Sequence, residues 1–182
     1  VASNSVGLVR GGLQMFGVGS TVVAWGQNIN GQTNVPVGLS NVVAVAGGRW
    51  HSLALRSDGT VAAWGDNSGG QTNVPVGLSN VVAMAAGYNH SLALRSDGTV
   101  AAWGDNYYGQ TNVPVGLSNG VAVAAGYYHS LALRSNGTVA VWGYNLYGQT
   151  NLPLGLSNVV AVAAGGRHSL VLRSDGTVAA WG

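Results

Sequence analysis

Four histidines, His51, His90, His129 and His168, stand 39 residues apart, and each is followed by a serine. An imidazole beside a hydroxyl is raw material for metal ligation or for an activated nucleophile. A shared metal needs several ligands about 2 Å from one ion, and a nucleophilic triad needs a carboxylate to orient the imidazole. No carboxylate recurs at a regular position beside these histidines, and one His per copy sets neighbouring rings too far apart to share an ion. The expected role is structural, each ring hydrogen-bonded to backbone within its own unit. Asp66-Asn67 and Asp105-Asn106 sketch a calcium loop, but Gln27-Asn28 and Tyr144-Asn145 hold the same places, so the ligand set dissolves in half the copies. The Gly-rich stretches lack the Lys-Ser/Thr of a phosphate-binding loop. No catalytic residue, metal site or cofactor is expected, and the chain is not read as an enzyme.

Other residues keep the same interval without insertion or deletion. They are Trp25, Trp64, Trp103, Trp142 and Trp181, then Arg56, Arg95, Arg134 and Arg173, then Pro36, Pro75, Pro114 and Pro153. Such a period decides the architecture before any single residue is weighed. Four full copies run from Gly26 to Trp181, preceded by a partial copy over Gly19–Trp25. Residues 1–18 form a degenerate N-terminal segment or a divergent partial blade, and 19–182 carry the repeats. The recurring Trp is expected to pack between units, and the Arg to make a repeated polar tie.

Composition narrows the class. Of 182 residues only 7% are charged, against roughly 25% in ordinary globular proteins, so Asn, Gln, Ser, Thr and Gly must cover the surface. All seven basic residues are Arg, the net charge is +2, and no basic stripe of the kind nucleic acid requires is present. No apolar run approaches the roughly 20 residues of a membrane span. There is no Cys from which to read a redox compartment. The chain neither starts with Met nor shows an export signal, so any such signal is expected to have been removed or never included.

Within one copy, short β-rich runs alternate with Gly, Asn, Asp and Pro. Val42–Ala46, His51–Arg56 and Thr60–Trp64 are predicted strands. Ser57-Asp58-Gly59-Thr60 predicts a tight two-residue hairpin turn. Gln71–Pro75 predicts an outer fourth strand, whose proline suits an edge because it has no N–H to donate. Helical periodicity is absent. Four short antiparallel strands per 39 residues make one blade, and the predicted fold is an all-β propeller of about 4.7 four-stranded blades.

The copies, with Ala-Gly-x-x-His-Ser-x-Ala-Leu, an Asp-Gly turn and x-Ala-Trp-Gly-x-Asn-x-x-Gly-Gln around His51 to Gln71, resemble the repeats of the regulator of chromosome condensation family. Within it, the run Ala-Trp-Gly-Asp-Asn-x-x-Gly-Gln-Thr-x-Val-Pro looks most like that of bacterial propellers that inhibit β-lactamases. The resemblance covers Gly19 to Gly182 and implies a propeller, usually of seven blades, with function on its loops. Fold and function separate freely, so no function is carried across by it.

The differences among the copies are concentrated at two places. The first is the pair before each His: Arg49-Trp50, Tyr88-Asn89, Tyr127-Tyr128 and Gly166-Arg167. The second follows Trp-Gly: Gln27 with Ile29-Asn30, Asp66 with Ser68-Gly69, Asp105 with Tyr107-Tyr108, and Tyr144 with Leu146-Tyr147. Strand parity puts both slots at the same end of the blades. The predicted partner-binding residues are therefore Arg49, Trp50, Tyr88, Asn89, Tyr107, Tyr108, Tyr127, Tyr128, Tyr144, Tyr147 and Arg167. Tyr, Trp and Arg dominate protein-binding hot spots because they combine large rigid contact area with a polar end. The competing account is that these aromatics cover blade ends or record drift after duplication, but drift would not favour aromatics.

A seven-blade ring at this repeat length needs about 273 residues, against 182 here. Three arrangements are open: a segment of a longer propeller, a five-blade ring with Val1–Trp25 as a divergent blade, or an open edge that pairs with another copy. The favoured expectation is a non-catalytic scaffold, bacterial and extracellular or on the cell surface, that grips a protein partner through the aromatic loops. The alternative is a self-assembling structural subunit joined through open blade edges. Neither nucleic acid nor a membrane span is expected as a partner.

Overall fold

The computed structural model describes residues 21–182, so the predicted N-terminal segment 1–18 lies outside the described residues. Four antiparallel sheets follow one another along the chain. The first is β1 (Val42–Gly47), β2 (His51–Arg56) and β3 (Val61–Gly65). The second is β4 (Val81–Ala86), β5 (His90–Arg95) and β6 (Val100–Gly104). The third is β7 (Gly120–Ala125), β8 (His129–Arg134) and β9 (Val139–Gly143). The fourth is β10 (Val159–Ala164), β11 (Ser169–Arg173) and β12 (Val178–Trp181).

Each sheet is a blade whose first strand is innermost, because β1, β4, β7 and β10 neighbour one another in succession. Together they border a central cavity of about 630 Å³ lined by Val45, Met84, Val123 and Val162. Period-2 alternation gives every sheet two apolar faces. Leu53, Leu55 and Val61 point to the following blade and meet Val81, Ala93 and Trp103 there. The same joint recurs as Leu92, Leu94 and Val100 against Ala132, Ala140 and Trp142. Each buried Leu in such a joint stabilises by roughly 2 kcal/mol relative to exposure. The recurring Trp thus packs between units, as expected.

Two local expectations are corrected. The predicted fourth strand, Gln71–Pro75, joins no ladder, and each blade has three paired strands. Its donors are spent nearby: Thr72 N–H on Asn67 Oδ1 (3.0 Å), Asn73 N–H on Gly70 O (3.0 Å) and Val74 N–H on Thr72 O (2.9 Å). Pro75 has no donor to offer. The hairpin turn is a three-residue loop rather than a two-residue one. Arg56 N–H meets Thr60 O at 2.9 Å and Gly59 N–H meets Arg56 O at 3.0 Å, and within the turn only Gly59 has positive φ, at 77°. Asp58 Oδ1 holds this form by accepting from Thr60 N (2.9 Å) and Thr60 Oγ1 (2.6 Å). Beside the turn, Arg56 donates to Thr60 Oγ1 at 3.3 Å, which is the predicted polar tie.

Candidate partner-binding face

Under the variable loops lies a row of buried histidines. His51 Nε2 is 3.0 Å from Ser91 Oγ, His90 Nε2 is 3.0 Å from Ser130 Oγ, and His129 Nε2 is 3.1 Å from Ser169 Oγ. The sequence predicted backbone partners within each unit, whereas these rings reach a side chain of the next repeat. The serine hydroxyls donate to the carbonyls of Gln71 (2.9 Å), Gln110 (2.8 Å) and Gln149 (2.8 Å). Each Ser oxygen is therefore an acceptor for imidazole, and the proton sits on Nε2. Nδ1 of His51, His90 and His129 is left buried without a partner. Desolvation pushes the three imidazoles down to about 4, 3 and 4 respectively, so they are neutral at ordinary pH. Gly48 is required beside them, because a Cβ there would run into the His51 ring.

The loops after Trp-Gly are held from below by a second buried group that sequence reasoning overlooked. Gln110 is fully buried; its Oε1 accepts from Tyr108 N–H at 2.9 Å and its Nε2 donates to Asp105 Oδ2 at 3.1 Å. Gln71 does the same for Gly69 N–H (2.8 Å) and Asp66 Oδ2 (2.7 Å), and Gln149 accepts from Tyr147 N–H at 3.0 Å. A glutamine kept in every copy while its loop varied was the available signal. The Gln71, Gln110 and Gln149 carbonyls also accept from the indole N–H of Trp103, Trp142 and Trp181, at 2.9, 2.9 and 3.0 Å.

On this support the two variable slots come together. Tyr88 stacks on Tyr128 with centroids 5.2 Å apart and meets Tyr127 edge-on at 5.4 Å. Tyr108 bridges the slots, 5.2 Å from Tyr128 and 4.5 Å from Tyr144, and Tyr107 lies 4.8 Å from Tyr108. Tyr144 continues to Tyr147 at 6.2 Å. Arg49 lies 4.2 Å from the Tyr88 ring and 4.9 Å from that of Trp50, and Arg167 lies 4.9 Å from Tyr147. All seven tyrosines of the chain thus belong to one connected ribbon, with a guanidinium at either end. Burial pushes the Tyr128 hydroxyl up. Asn89 Oδ1 accepts from Gln71 Nε2 at 3.4 Å. Among the described residues no three His, Asp or Glu side chains are grouped as metal ligands would be, and no helix is long and apolar enough to cross a membrane.

This architecture has solved counterparts. Yeast Prp20, seen bound to Kap60, is 27% identical with a TM-score of 0.67 over 78% of this chain and 43% of its own. Human WBSCR16 is 28% identical with a TM-score of 0.65 over 78% of this chain and 47% of its own. The ectodomain of the Physcomitrella patens receptor kinase CR4 is 25% identical with a TM-score of 0.74 over 87% of this chain and 46% of its own. The chain spans less than half the length of each of these proteins. No curated protein matches it. The regulator of chromosome condensation repeat matches residues 42–71, 81–110, 121–149 and 159–182, one stretch for each blade described above. The chain belongs to the regulator of chromosome condensation (RCC1) repeat family.

Proposed function

We propose that this chain is a non-catalytic recognition scaffold that captures a protein partner through the tyrosine ribbon and its flanking arginines. The observation that carries it is the gathering of all seven tyrosines on one face, with Tyr107 as much as 83% exposed. Aromatic rings on loops pinned by buried Gln and His lose little conformational freedom on binding, which is what makes a hot spot productive. Prp20, of the same family, has been seen bound to Kap60, which supports protein capture as a use of this fold. Replacing Trp50, Tyr88, Tyr127 and Tyr128 with Ala is expected to abolish partner capture while the thermal melt stays cooperative. Retained capture by that variant overturns the proposal.

The fourth blade supports a second function, self-assembly. Leu172 and Val178 are 39% and 63% exposed, whereas their counterparts Leu133 and Val139 are 3% and 7% exposed inside a joint. Trp25 is 79% exposed, while the equivalent Trp142 is 7% exposed. This exposed surface is a sheet face, and it has the chemistry of a blade-to-blade joint. A further blade of this pattern fits it, whether from the same polypeptide or from a second copy. Light scattering that shows concentration-dependent growth, lost in Leu172→Glu, would support assembly; a constant mass would exclude it.

A further inference from the structure

We infer that the partner presents an acidic protein segment to the upper face, with carboxylates seated on Arg49 and Arg167 and its apolar and amide groups lying on the tyrosines between. This rests on the assignment of that face as the partner-binding one. Both guanidiniums are exposed and already fixed in orientation. Arg49 is held against Tyr88 and Trp50, and Arg167 lies over Tyr147 and donates to its hydroxyl at 3.1 Å. A guanidinium laid on a ring keeps its N–H edges outward, so the planar fork that grips a carboxylate is in place before the partner arrives. Much of the side-chain ordering cost is met in advance.

The arginines at the opposite ends of the strands are used differently. Arg56, Arg95 and Arg173 donate to Thr60, Thr99 and Thr177 and act on the turn carboxylates of Asp58, Asp97 and Asp175. On the upper face the carboxylates are committed elsewhere. Asp66 is bonded to Ser68 and Gln71, and Asp105 to Gln110 and the Tyr107 N–H. The ordered N–H edges of Arg49, and those of Arg167 that Tyr147 does not take, are thus left to an incoming acceptor. Two cations separated by a row of neutral rings match separated carboxylates. A polyphosphate backbone asks for a continuous basic stripe, and a phosphorylated peptide for clustered arginines; among the described residues this face has neither.

A displayed library of random dodecapeptides, selected on the wild-type chain, tests the inference. The expected peptides are enriched in Asp and Glu. They bind at least about tenfold more weakly to the double variant Arg49→Gln, Arg167→Gln, and they weaken as salt is raised. The Lys pair, Arg49→Lys with Arg167→Lys, is expected to recover only part of the affinity, since an ammonium keeps the charge without the fork. Equal thermal melts establish that the variants fold. Neutral or basic selected peptides, peptides indifferent to the Gln pair, or no selected peptide at all would overturn the inference. Peptides that need Tyr108 and Tyr128 but not the arginines sink it while leaving the binding face intact. Peptides indifferent to Tyr108→Ala with Tyr128→Ala sink the binding face itself.

Discussion

The two ends of the same strands have been treated differently. At the lower end every copy keeps Ser-Asp/Asn-Gly-Thr, and at the upper end Arg-Trp, Tyr-Asn, Tyr-Tyr and Gly-Arg replace one another. The lower turn has no spare freedom. Gly59, Gly98, Gly137 and Gly176 all have φ between 76° and 83°, and at Gly98 a Cβ would come within 2.8 Å of the Asn119 backbone. The upper end asks for one glycine beside the histidine and one buried glutamine beneath the loop, and leaves the exposed positions unspecified. At the upper end the folding demands fall on buried positions, so the exposed ones are free to acquire a recognition surface.

Acid separates the two ends most strongly. His51, His90 and His129 hold a proton far less well in the fold than in the unfolded chain, where histidine titrates near 6.5. The unfolded chain therefore takes up protons first. Stability is complete above about pH 6.5 and drains as pH falls toward about 4, by on the order of 3 kcal/mol for each ring. The lower carboxylates are solvent-exposed and kept below the usual range by hydrogen bonds from Thr60, Thr99 and Thr177, so they begin to matter only at lower pH. Urea unfolding at pH 7, 5.5 and 4 should show this loss, and a flat profile would mean that the buried row tolerates charge.

Next in size, Gly98→Ala is expected to cost about 3 kcal/mol, from the left-handed φ and the overlap with Asn119, without altering partner affinity once folded. An affinity change in that variant would break the division between ends. Gln110→Ala should cost about 2 kcal/mol by leaving the Tyr108 N–H and Asp105 without their buried partner. It should also weaken capture, because Tyr108 and Asp105 lose their support while every ring stays present. The smallest effect is expected for Asp97→Asn, within about 0.5 kcal/mol by thermal melt. The third copy already uses Asn136, whose Oδ1 accepts from Thr138 N at 3.1 Å as Asp97 does from Thr99 N at 2.9 Å.

Much of this was legible from residues alone. The strands over His51–Arg56 and His90–Arg95, the joint-forming tryptophans and the shared end of the variable slots follow from alternation and period. What escaped notice depends on where side chains reach. The Gln71–Pro75 segment has strand-like composition, yet Asn67 and Gly70 intercept its donors. The Asp-Gly pair signals a hairpin, but Thr60 bonding to Asp58 selects the longer loop. Gln110 looked like surface because glutamine usually is.

The sequence by itself determined the repeat, the places of the first three strands of each blade and the end at which the copies diverge; that no fourth strand joins them was left to the structure. These rest on short-range alternation, turn chemistry and exact spacing, all local along the chain. Only the tertiary structure decided that His51 would meet Ser91, that Trp142 would donate to the Gln110 carbonyl, and that Tyr88, Tyr108, Tyr128 and Tyr144 would become one ribbon. Those contacts join residues of adjacent blades, and their geometry is set by how one sheet stacks on the next, which local alternation does not encode.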